Sequence, residues 1–142
     1  MIRVTPADLA AVSPALDRHA RGPIFLQANL LRHGLAGTAP RAVHLWRNAG
    51  MTAFLGLTVA GVLLPQMHDA SPADWASLPD ILSGHTVAGL NGDLPQVTGC
   101  LANLSLPTAR VDRAEPCFAL TLTDLRMPDC AGLVLSPPRP QD

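Results

Sequence analysis

The sequence contains no lysine and no tyrosine, and Glu115 is its only glutamate. Arginine therefore supplies every basic side chain except histidine, and aspartate supplies every acidic one except Glu115. The net charge of −1 leaves no basic surface to hold nucleic acid by counterion release. Without tyrosine, no phenol can hand over a proton. Cysteine is scarce and odd in number. Cys100, Cys117 and Cys130 are too few for a disulfide framework and form no Cys-x-x-Cys pair, so reduced and mostly buried thiols are expected. A zinc site would have to recruit His68 or His85 from afar. The start, MIRVTPADLA, lacks the apolar region of a secretory signal, and a cytoplasmic protein is the expectation.

Charge is also missing from one long segment. Residues 48–67, which include MTAFLGLTVAGVLLPQM, hold no charged side chain and are about long enough to span a bilayer. The punctuation favours a different reading. Gly56 and Gly61 break the run, Thr52 and Thr58 add hydroxyls, and Pro65 ends it. The flanks offer only Arg47 on one side and His68 and Asp69 on the other, which are poor membrane anchors. Two central strands, or one long bent strand, buried on both faces are expected here, with a membrane span as the alternative.

With 142 residues the chain fits one domain with a proper core. MIRV is a short strand candidate. TPADLAAVSPALDRH carries the marks of a helix start, Thr5 as cap and Pro6 at the first position, and Pro14 predicts a break or kink near Ser13. GPIFLQANLLRHG reads as a second helix, with Ile24, Leu31 and the pair Gln27–Ala28 at helical spacing. In RAVHLWR, Val43 and Leu45 share one strand face and His44 and Trp46 the other. NAG at 48–50 signals a turn. SPADWASLPDILSG repeats the first helix start, with Pro79 able to split it. HTVAGL is a short strand. NGDLPQVTGCLANLSL is a helix with Asp93 as cap and Leu94, Val97, Leu101 and Leu104 on one face. EPCFALTLTDL alternates as a strand, and GLVLSPPRPQD holds a last one before a proline-rich end. Consecutive strands should pair antiparallel, and strand–helix–strand steps should give parallel neighbours. The expected fold is α+β, one mixed and mostly antiparallel sheet with helices on both faces. Residues 1–136 form the domain, and 137–142 a Pro-rich linker or truncated end.

This element order resembles that of the GNAT superfamily of acyl-CoA-dependent N-acetyltransferases. PIFLQANLLRHGL, the Trp strand with its glycine turn, GDLPQVTGCLANL, and EPCFALTLTDLRMPD closing on LVLSPPRP resemble the N-terminal half of bacterial two-domain members. In those a second GNAT domain carries the acetyl-CoA site. The family holds the CoA pyrophosphate on a Gln/Arg-x-x-Gly-x-Gly/Ala loop between the fourth strand and the next helix. Here that junction is Leu63 to Trp75, LLPQMHDASPADW. It has no glycine, and Asp69 and Asp74 would repel phosphate. The partial match Gln96-Val97-Thr98-Gly99-Cys100-Leu101 falls in a later helix and reads as a helix face with one tolerated glycine. The family's tyrosine acid is absent, and the sole glutamate, Glu115, opens a late strand.

The resemblance thus implies a degenerate GNAT-like domain with no catalytic, cofactor-binding or metal-binding residue of its own. Its partner would be the C-terminal GNAT domain of the same protein, which uses acetyl-CoA. The segment would pack on that domain and shape the acceptor-amine cleft. It would expose apolar surface, and a homo-oligomer is a further possibility. Gln27 and Asn29 on the second helix stand where a cleft could lie, though an ordinary polar helix face is the simpler reading. The glycines near 56 and 61 would permit the bulge at which GNAT sheets part to admit pantetheine. Other readings stay open. The chain could be an enzyme alone with a CoA site near Gly56 and Gly61, a stand-alone small-molecule or protein-binding module, or a membrane-attached protein. His33, His44, His68 and His85 are dispersed, with no metal-helix spacing, and a Cys100–His85 nucleophile pair lacks a local signature.

Overall fold

The computed structural model describes residues 1–18 and 24–115, together with Thr123, Arg126 and Gly132. The chain divides into two units, Met1–Asp112 and Arg113–Asp142. All elements described below belong to the first. The strands expected at 117–122 and near 133–136, and Cys117 and Cys130, lie outside the described residues.

Five strands form one sheet in the order of the chain. They are β1 (Ile2–Arg3), β2 (Val43–Arg47), β3 (Phe54–Thr58), β4 (Val62–Gln66) and β5 (Gly89–Leu90). The first four are mutually antiparallel, and β5 runs parallel to β4. The helices are α1 (Leu9–Asp17), α2 (Ile24–His33), α3 (Pro72–Ala76), α4 (Leu78–Ile81) and α5 (Leu94–Asn103). The fold is α+β, as the sequence predicts. One pairing departs from the simple rule. Two helices intervene between β1 and β2, yet the strands are antiparallel, because a second helix returns the chain to the end from which it left the sheet. The α3–α4 pair acts as one crossover, so β4 and β5 are parallel.

Both sheet faces are covered. On one, Val43, Leu45, Phe54 and Leu64 pack with Val12, Ala15 and Leu16 of α1 and Leu26 of α2. On the other, Trp46, Leu55, Leu57 and Leu63 pack with Leu78 of α4, Leu82 and Cys100 of α5. β2 therefore splits its side chains as its alternation predicts. Every residue of β3 is buried, which explains the uncharged run: 48–67 is a turn followed by two central strands, not one helix. No helix among the described residues is long and apolar enough to cross a membrane.

Several expectations are corrected. Gly56 does not break the run or create a bulge. It sits in unbroken register between Leu45 and Leu64. Its missing Cβ admits α2, since a Cβ there would lie 2.5 Å from Leu26 Cδ1. Gly61, at φ +86°, makes the β3–β4 turn. Pro65 lies inside β4 rather than ending the segment. Pro14 does not break α1, which runs from Leu9 to Asp17. Both Pro14 and Ala10, whose carbonyl loses its partner, are on the exposed side where water can bond it. The inward faces of two helices are also turned from those expected. In α2 the buried residue is Leu26, while Ile24 and Leu31 face outward. In α5 the buried residues are Gln96 and Cys100; of the face expected, Val97 and Leu104 are half-buried, Leu104 against the core, while Leu94 and Leu101 are exposed.

Candidate functional site

The outer end of β4, where β5 stops short, is the one place among the described strands where a central strand loses its neighbour. β5 pairs with only Val62 and Leu63. The Asn91 N–H then donates to the Leu63 carbonyl at 2.9 Å. Beyond Leu63 the β5-facing edge of β4 consists of Pro65 and Met67, by the two-residue alternation of a strand. Pro65 has no N–H to offer. This is why a proline is tolerated in a strand with neighbours on both sides: its ring nitrogen faces the gap rather than a ladder. The Met67 N–H donates to Gln96 Oε1 at 2.7 Å in a buried bond. The gap itself is occupied by the chain entering α5, with Gly92 so close that a Cβ would lie 3.1 Å from Pro65 Cγ.

Gln96 ties this edge to polar groups beyond it. Only its oxygen can accept from Met67, so its nitrogen is the atom that reaches the His68 ring, 2.6 Å from Nε2 and 3.1 Å from Nδ1. Asp93, the residue before α5, places Oδ2 3.7 Å from the same nitrogen. Three residues on, Gly99 has a packing role. A Cβ there would meet the Trp75 indole at 2.6 Å. Gln96-Val97-Thr98-Gly99 is thus a helix face, as read from the sequence, but its glycine is demanded by Trp75 rather than merely tolerated. Both Trp75 and Trp46 join the core on this side of the sheet.

The junction from Leu63 to Trp75 ends in α3, only five residues long. Its start is closed by its own side chains. Ser71 Oγ accepts the Asp74 N–H at 3.2 Å, while the Ser71 N–H and hydroxyl donate to Asp74 Oδ2, each at 2.9 Å. Burial pushes the Asp74 pKa up, but the bonds from Ser71 and from Asn48 Nδ2 outweigh it and hold the carboxyl below its ordinary value. The start of α3 thus carries a carboxylate of its own, bonded to the N–H and hydroxyl of its cap.

The remaining candidates resolve as follows. Cys100 is a free, fully buried thiol, and burial pushes its pKa up to about 12, so it supplies no thiolate for a pair with His85. Gln27 Nε2 donates to Asp17 Oδ1 at 2.7 Å and clasps α2 to the end of α1. Asn29 is half-buried. Glu115 is exposed in irregular chain. His33 lines a cavity of about 300 Å³ with Arg32 and Arg41. His44 and His85, far apart in sequence, meet with ring centroids 5.4 Å apart beside Trp46. Sequence reading missed this pair. The only signal was that His44 and Trp46 share a strand face. Among the described residues no three His, Cys, Asp or Glu side chains gather as metal ligands. No family model, curated protein or solved structure matches the chain.

Proposed function

We propose that this chain is a non-catalytic GNAT-like domain of an acetyl-CoA-dependent N-acetyltransferase. It packs on a C-terminal catalytic domain of the same protein and shapes the cleft that admits the acceptor amine. The reading starts from the resemblance in sequence and element order. One observation supports its non-catalytic part: beyond Leu63 the open edge of β4 has no backbone donor to give, because Pro65 lacks one and Gln96 has taken that of Met67. The self-capped start of α3 supports it independently.

The outer face of α2 supports the docking part. Ile24, Phe25 and Leu31 are all exposed, Leu31 at 92%. The C-terminal domain is the occupant proposed for this apolar stripe, and a second copy of the chain is the competing outcome. The free buried thiol of Cys100 supports a reducing, cytoplasmic setting.

A thermal-shift titration of this chain with acetyl-CoA tests the reading. No stabilisation is expected up to millimolar ligand. A dissociation constant in the micromolar range would instead raise stability by about 2.7 kcal/mol at a hundredfold excess, and would overturn the non-catalytic assignment.

A further inference from the structure

The His44–His85 cluster stands apart from the β4 edge, and it does not depend on the proposed function. Both rings line a cavity of about 230 Å³, together with Thr86 and the glycine turn at Gly61. Trp46 meets the His85 ring edge-on at 5.7 Å and braces it from one side. From β1, Arg3 Nη2 lies 3.1 Å from His44 Nδ1. A guanidinium only donates, so Nδ1 accepts and the neutral ring carries its hydrogen on Nε2. The other polar atom of His44 is therefore a donor.

The charges around His44 have one sign. Arg3 faces it from β1, His85 from the segment after α4, and the neutral Leu57 from β3. Among the described residues, none that lines the cavity is a carboxylate. We propose that this cavity binds a small oxyanion, a carboxylate or a phosphate, held by His44 and His85 where both line its wall. The anion supplies the negative charge that the cluster lacks.

A transition metal is disfavoured by the same atoms. Ligation through His44 Nε2 needs the hydrogen on Nδ1, where Arg3 already donates, and Arg3 repels a cation. Burial, Arg3 and His85 together hold the His44 pKa below its ordinary value. An anion in the cavity adds a negative charge that offsets the last two influences, so binding takes up protons and tightens as pH falls.

The test follows the ring signals of His44 and His85 by NMR while inorganic phosphate, or in a second arm acetate, is added to the full chain. Titrations run at pH 5.5 and pH 8, with chloride holding ionic strength constant. Saturable shifts of both rings are expected, with acetate, an anion at both pH values, binding about tenfold tighter at the lower pH, equivalent to one unit of linked pKa. The arm that binds more tightly names the source, phosphate or carboxylate. His85→Ala, on an exposed ring whose loss leaves the core intact, should weaken binding at pH 5.5 about tenfold, and His44→Gln should do the same. Non-saturating shifts with both anions, equal acetate affinity at both pH values, or unchanged affinity in His85→Ala would overturn the site. So would saturable binding of Zn²⁺ at the two rings without binding of either anion.

Discussion

Two buried glutamines stand at the end of β4, and only one is used. Gln96, 4% exposed, caps the Met67 N–H. Gln66, 1% exposed on the opposite sheet face, has neither amide atom bonded among the described residues. The two substitutions should therefore act in opposite directions. Gln96→Ala leaves a buried donor unpaired and should cost about 1–3 kcal/mol. Gln66→Leu removes an uncompensated amide at similar volume and should stabilise by about 1 kcal/mol, raising Tm by several degrees. Urea denaturation measures both, and loss of stability in Gln66→Leu would contradict the assignment. Gly56→Ala forces a methyl against Leu26 and should cost about 1–3 kcal/mol. The sequence shows that Gly56 and Pro65 are unusual in an apolar run. It does not show why, because the answer lies in neighbours far away along the chain: Leu26 for one, the shortness of β5 for the other.

At the scale of elements, local chemistry was legible and orientation was not. Thr5-Pro6-Ala7-Asp8 opens a 3-10 turn, Pro6–Asp8, that leads into α1, and Ser71-Pro72-Ala73-Asp74 opens α3, because a cap and its carboxylate act within one turn. In the first, Thr5 donates from its N–H and hydroxyl to Asp8 Oδ2 at 2.8 and 2.6 Å. The inward faces of α2 and α5 were misread because α5 buries an amide, a thiol and a glycine contact while leaving Leu94 70% exposed. Apolar spacing alone points the wrong way there. Ser71→Ala should cost about 1 kcal/mol. The cap also makes α3 acid-sensitive. The Asp74 pKa is lowered in the fold, so its stabilisation is fully present above its unfolded value, near pH 4, and is lost as pH falls through the lower folded value. Asp74→Asn should flatten the acid limb of a stability profile below about pH 4. An unchanged acid limb would show that the Ser71–Asp74 bonds add nothing.

At the scale of the molecule, a mixed, mostly antiparallel sheet with helices on both faces could be read from the order of elements, but the strand order could not, since two helices between β1 and β2 leave their pairing open. The closure of the opening beside β4 could not, because a side chain from α5 completes it. The outer face of α2 makes a separate prediction. Leu31→Glu should change stability by no more than about 0.5 kcal/mol, since the side chain is 92% exposed, while lowering any self-association seen by sedimentation. Association that survives this change would move the contact elsewhere. The central claim is that the end of β4 has no backbone donor left for an acyl-CoA. Residue-resolved NMR of the amides at 63–67 and 91–96 during addition of acetyl-CoA tests it most directly. The account predicts that these signals stay in place, with Met67 protected from exchange by Gln96. A saturable shift of Leu63, Met67 and Asn91, with release of that protection, would contradict it.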